Sequence, residues 1–112
     1  MLIISACAVL APVVPSRGED GLSFDVAIRR LRGCITAGAG GAAGASIGQA
    51  VGSIRALCRP QLNGAYAATD RKVAAENPAA RGNVLAGLRQ RERSRIDYEL
   101  VNLVSNLTGA QP

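Results

Sequence analysis

From Cys34 to Ile54 the chain carries no charged residue, and Gly40, Gly44, Gly48 and Gly52 fall at strict four-residue spacing. Cys34 opens this stretch and Cys58 stands just past its end. No other feature constrains the fold as strongly. Glycine at every fourth position matches the GxxxGxxxG zipper that lets helix backbones approach closely in membranes. Arg29, Arg30 and Arg32 before it, and Arg55 and Arg59 after it, complete the outline of a membrane segment. Three features oppose that outline. Only Ile35, Ile47, Val51 and Ile54 are large aliphatics, while Thr36, Ser46, Gln49 and Ser53 are polar, and a span is predominantly apolar. Gly38-Ala39-Gly40-Gly41 makes a poor helix interior, since each glycine costs about 1 kcal/mol relative to alanine. Ser46-Ile47-Gly48-Gln49 reads as a capping box that opens a new helix.

Residues 38–45 are therefore expected to connect two helices. The first runs over about 23–37, capped by Ser23 with Asp20 and Asp25 near its positive end. Val26, Ala27, Leu31, Cys34 and Ile35 recur on one of its faces. The second runs over 46–59 to Pro60, with Ile47, Val51, Ile54 and Leu57/Cys58 as its stripe. Gly40, Gly44, Gly48 and Gly52 are the candidate close-packing face. A hairpin drawn this way leaves Cys34 and Cys58 out of register by roughly 5–10 Å at 1.5 Å per residue. A disulfide needs Cα atoms within about 7 Å. The bond thus requires a first helix one turn longer, or tilted packing.

The cysteine count favours the bond. Residues 2–14, LIISACAVLAPVV, form an uncharged run of signal-peptide length, too short for a span of about 20 residues. Ser16 and Gly18 suit signal peptidase, which places cleavage after Gly18, although no Lys or Arg precedes the run. Ile4-Ser5-Ala6-Cys7 has a second reading, a lipobox with Cys7 lipidated. Under either reading Cys7 leaves the count, and Cys34 and Cys58 remain as an even pair suited to an oxidising compartment. The remaining 19–112 form one helical domain, net charge +4 once Arg17 is removed.

A third helix is expected over about 61–76, with Leu62, Tyr66, Val73 and Ala74 inward, a weak point at Asn63-Gly64, and a stop at Asn77-Pro78. A fourth is expected over about 82–107, with Val84, Leu85, Leu88, Ile96, Leu100, Leu103, Val104 and Leu107 as its stripe and Gly109 closing it. Phe24, Tyr66 and Tyr98 are the only aromatic residues, so the core is thin. A domain this small then needs a covalent staple or a partner.

Little in the sequence carries chemistry. There is no histidine, which removes Ser–His and Cys–His nucleophile systems. The remaining cysteines and scattered acids make no zinc ligand set. The glycine-rich segment lacks the Lys-Ser/Thr ending of a phosphate loop. Asp97 and Glu99, two apart on a helix, point to different faces. Cys34 and Cys58 lack the C-x-x-C spacing of redox thiols. Twelve of the thirteen basic residues are Arg, as GC-rich coding would give. Arg89, Arg91, Arg93 and Arg95 on the last helix, with Arg29, Arg30 and Arg32 on the first, form the candidate patch for an anionic surface. The spacings Arg93–Asp97, Arg95–Glu99 and Arg89–Glu92 instead suggest pairing along a solvated helix face.

The run Cys34 … Arg55-Ala56-Leu57-Cys58-Arg59-Pro60-Gln61-Leu62, behind an apolar leader, resembles small exported proteobacterial proteins built as Ala-rich helical hairpins with two cysteines. The resemblance spans about residues 24–75. It implies export and a helical fold, and no defined activity. The expectation is an all-α protein, a hairpin or bundle of three to four helices stapled by one disulfide, periplasmic or secreted, and not an enzyme. It would act by binding or by structure, with a protein or a second copy as partner and envelope lipid or polysaccharide as a further candidate. No cofactor, metal or small-molecule substrate is evident. Two alternatives stand beside this: a glycine-zipper protein inserting through 34–54, and a cytosolic basic helical protein that binds nucleic acid.

Overall fold

In the computed structural model, residues 21–109 are described, and they fold as four α-helices without strands. The leader expected over 1–18, with Cys7, lies outside the described residues. Helix α1 spans Phe24–Ala39, α2 Ile47–Leu57, α3 Arg59–Glu76 and α4 Gly82–Thr108.

The caps are those the sequence supplies. The Val26 N–H donates to Ser23 Oγ at 3.4 Å, with Asp25 in the first turn. At Ser46 the box is reciprocal: the Gln49 N–H donates to Ser46 Oγ, and the Ser46 N–H to Gln49 Oε1, both at 3.2 Å. Two orphan donors of α2 are thereby satisfied. Pro78 disfavours helical backbone at Asn77, and α3 ends there. Gly109 closes α4 at φ 76°, its N–H donating to the Ser105 carbonyl. A glycine adopts this left-handed conformation without a Cβ clash.

Three boundaries differ from expectation. The first helix runs to Ala39, and a 3₁₀ turn over Gly40–Ala42 carries it further. The connector shrinks to 43–46, with Gly44 at φ 88° making the turn. This extension brings the cysteines level. Their Cα atoms lie 5.9 Å apart and their sulfurs 2.06 Å apart, as a disulfide. Secondly, α2 breaks at Cys58 (φ −101°, ψ 24°), and Pro60 sits in the first turn of α3. There its missing N–H is no loss. Thirdly, α3 passes through Asn63-Gly64 without a break.

The glycine face also needs correction. A Cβ on Gly40, Gly44, Gly48 or Gly52 would meet nothing within 4 Å, so none of them packs against α1. Helix α2 turns Ala50, Ile54 and Cys58 inward instead. The close approach falls at Gly38, where a Cβ would lie 2.6 Å from Leu57 Cδ2 and 2.9 Å from Ile54 Cδ1.

The core is aliphatic. Leu31 and Ile35 of α1 meet Ile54, Cys58, Leu62 and Ala65 from α2 and α3, and Ile96, Leu100 and Val104 of α4. No aromatic ring is fully buried, and Tyr98 is 67% exposed. Leu57, Val84 and Leu107, expected inside, are exposed. Val84 lies one turn before Leu88, which shares a cavity wall with Phe24 at the start of α1. Leu57 instead covers Gly38 from outside.

The Cys34–Cys58 link and the Gly38–Ile54 contact set α1 antiparallel to α2 and α3. Asp70–Arg93 and Tyr66–Asp97 set α3 antiparallel to α4. Helices α1 and α4 therefore run side by side in the same direction.

Two predictions test this packing. Replacing both Cys34 and Cys58 by alanine should lower the unfolding free energy by about 3.5 kcal/mol, the loop-closure value for a bridge with a sequence separation of 24. Urea titration of the oxidised parent and the variant measures it. Gly52→Ala, in the open face of α2, should raise stability by about 0.5–1 kcal/mol. Gly38→Ala should show less of that gain, because its methyl must displace the ends of the Leu57 and buried Ile54 side chains.

Candidate functional site

The arginine patch does not assemble as one surface. Arg93 points from α4 toward α3. Its Nε donates to Asp70 Oδ1 at 3.1 Å, its Nη2 donates to Asp70 Oδ2, and its guanidinium lies 5.1 Å from the Tyr66 ring centre. Arg95, 200° away around the helix at 100° per residue, faces α1 and pairs with Glu92 at 3.4 Å. Arg32 reaches Glu99 from α1 at 3.7 Å. Arg29 and Arg91 are exposed, and Arg89 is half-buried. None of the three spacings expected along α4 forms a pair in this structure. Glu92 turns to Arg95, Glu99 to Arg32, and Asp97 to another helix.

Asp97 is the centre of the second cluster. It accepts from Arg55 Nη1 of α2 at 3.3 Å and from the Tyr66 hydroxyl of α3. Arg55 Nη2 also reaches the Tyr66 oxygen at 3.4 Å. Three helices are thus tied by one carboxylate. The Tyr66 phenol is pushed above its ordinary value, first by burial and then by its hydrogen bond to Asp97, with Arg55 opposing. The guanidinium of Arg55 is raised, chiefly by its bond to Tyr66, and that of Arg93 by its bond to Asp70. These groups are satisfied by one another and occupied in holding helices together. Sequence reading missed Arg55, Tyr66 and Asp70 because their partners are distant in the chain. One signal was present: Tyr66/Asp70 and Arg93/Asp97 each stand four apart, so two antiparallel helices bring complementary pairs face to face.

Among the described residues, a cleft between α1 and α4 has room for a ligand. Along its length Leu31 and Ile35 of α1 face Leu100 and Leu103 of α4, with Asn102 and Asn106 at the rim. This part holds about 320 Å³. Ile28, Arg32, Ile96 and Glu99 continue it into a second chamber of about 300 Å³, walled by Phe24, Thr69, Lys72, Glu92 and Arg95. The character changes along the way, from aliphatic to mixed and charged. Lys72 lies 5.0 Å from the Phe24 ring centre and 2.9 Å from Glu76. Thr69 is 2% exposed, and its hydroxyl has no hydrogen-bond partner. A buried hydroxyl left unmatched costs free energy, and with its oxygen closed to solvent this one adds no accessible donor to the chamber.

Among the described residues no three Cys, Asp or Glu side chains gather to hold a metal ion. Cys34 and Cys58 are joined to each other, and Gly40, Gly44, Gly48 and Gly52 stand open to solvent. No protein-family model, curated protein or solved structure matches this chain.

The tyrosine shift has a measurable sign. The native state holds the Tyr66 proton to higher pH than the unfolded chain, whose phenol titrates near 10. The stability this contributes is present below about pH 10 and lost as pH rises through the native value. Urea midpoints measured across the alkaline range should decline, and Tyr66→Phe should remove that part of the decline.

Proposed function

We propose that this chain is an exported, non-enzymatic helical protein that acts in the cell envelope by binding or by structure, after residues 1–18 are removed. The observation that carries this is the Cys34–Cys58 bond. It joins two helices of a chain whose remaining cysteine, Cys7, lies within the apolar leader. Disulfides persist in oxidising compartments, and a thin aliphatic core gives one a structural use. The closed side-chain clusters also suit a binding protein better than a catalyst. Asp97 and Asp70 are spent on Arg55, Tyr66 and Arg93.

The two alternatives draw less support. In this structure 34–54 is divided between α1, a 3₁₀ turn and α2, and among the described residues no helix is long and apolar enough to cross a membrane. A nucleic-acid surface would need a coherent basic stripe, whereas Arg32, Arg93 and Arg95 pair with carboxylates on different sides of α4.

The test is the intact mass of the protein from its native host, before and after reduction. Loss of residues 1–18, with a mass two hydrogens short until reductant is added, is the expected result. A full-length mass with three alkylatable thiols overturns the proposal.

A further inference from the structure

We propose that Asn63-Gly64 is a self-modification site, a pair that closes to a succinimide in the unfolded chain and is held inert by α3 in the folded one. The inference is independent of export and of any ligand. Three observations carry it. First, the chain holds five asparagines, and only Asn63 is followed by glycine. Ring closure needs the backbone nitrogen after an asparagine to attack the side-chain amide carbon. Gly64 has no Cβ to hinder its nitrogen. Pro78, after Asn77, has no N–H to lose. Asn83, Asn102 and Asn106 are followed by the bulky Val84, Leu103 and Leu107. The chemistry needs only water and its hydroxide. The Gly64 nitrogen gives its proton to hydroxide and bonds to Asn63 Cγ, and the bond from Cγ to the amide nitrogen breaks to release ammonia. Water then opens the ring. Opening at Cγ gives aspartate. Opening at the backbone carbonyl gives isoaspartate, whose main chain runs on through Cβ and Cγ.

Secondly, Asn63 and Gly64 lie inside α3, past its first turn. In a helix the Gly64 N–H is directed at the carbonyl four residues back. Helical backbone at Asn63 does not bring that nitrogen onto Cγ, so the ring closes only after α3 opens. Thirdly, the site sits against the core. Leu62 is 4% exposed, Ala65 is fully buried and Gly64 is buried between them, while Asn63 is exposed. The two products therefore differ. Aspartate changes one exposed side chain near the positive end of α3. Isoaspartate adds a main-chain carbon between Leu62 and Ala65, which breaks the helical ladder and puts the two core residues out of phase. A chain left unfolded thus loses its route back, and the loss is written into its covalent structure.

The test incubates the full oxidised chain in native buffer at mildly alkaline pH, beside the same chain reduced and unfolded in guanidinium chloride. Mass spectrometry follows the tryptic peptide that ends at Arg71. Conversion at Asn63 is expected to be slower by about tenfold or more in the folded chain, because each event awaits an opening of α3. In the unfolded chain Asn63 should convert ahead of Asn102 and Asn106, and Asn63→Gln should abolish the fast conversion. After denaturant is removed and the bridge reoxidised, the aspartate product should regain the helical circular dichroism of the parent, and the isoaspartate product should not. Asn63→Asp, made directly, should match the urea midpoint of the parent. Equal rates in the folded and unfolded chains overturn the shielding by α3. An unfolded chain that keeps its Asn63 amide overturns the site. An isoaspartate product that refolds like the parent, or an Asn63→Asp variant that does not fold, overturns the assignment of the two products.

Discussion

The link between Cys34 and Cys58 fixes the registration on which the remaining packing is built. It is placed where the chain has least regular structure to rely on, for Cys58 is the single residue between α2 and α3. Two short helices meeting there could pivot about one residue. Tied to α1, they are held along it, with Ile54 and Leu62 on either side of the bridge both turned into the core. The bond therefore acts less as a clamp on a hairpin than as a pin through a hinge. With no buried ring in the core, little dispersion energy stands in reserve, and a constraint on the unfolded chain carries proportionally more of the stability.

Polar contacts then orient the fourth helix. Asp97 gathers Arg55 and Tyr66 onto α4, and Asp70 takes Arg93 one turn away. Each contact is half-exposed and modest in energy. Their value is geometric, because each pair joins helices that apolar packing alone would leave free to slide. Ala-rich faces are smooth, and sliding one smooth face over another changes burial little. Charged pairs at fixed spacing discriminate between those registers.

Most helix positions were legible, and the reason is local. Ser23, the Ser46/Gln49 box, Asn77-Pro78 and Gly109 act within a few residues of themselves, so the chain announces them without a fold. The additional turn of α1 was legible only through the disulfide, which required either it or a tilt, and not from local propensity. Its propensity is poor at Gly38 and Gly40, and it forms because tertiary contact rewards it: Gly38 lets Ile54 and Leu57 come close. The same limit explains the ion pairs. Spacing along α4 offered Arg93 to Asp97 and Arg95 to Glu99, yet neighbouring helices offered Asp70, Arg55 and Arg32. The cleft was invisible for a related reason. Phe24 of α1, Lys72 of α3 and Arg95 of α4 come from separate helices, and nothing in a linear pattern brings them to the same wall.

The parallel placement of α1 and α4 has a kinetic side. Helices α1 and α2, and likewise α3 and α4, are neighbours in sequence and close short loops. The α1–α4 contact joins Leu31 to Leu100, and so closes the longest loop among the helix pairs. Loop entropy delays contacts between distant parts of a chain. The trough thus comes into being only when the two helical hairpins dock, making it a late product of folding and a reporter of its completion. Any molecule that fills it would bind finished protein and pass over partly folded forms.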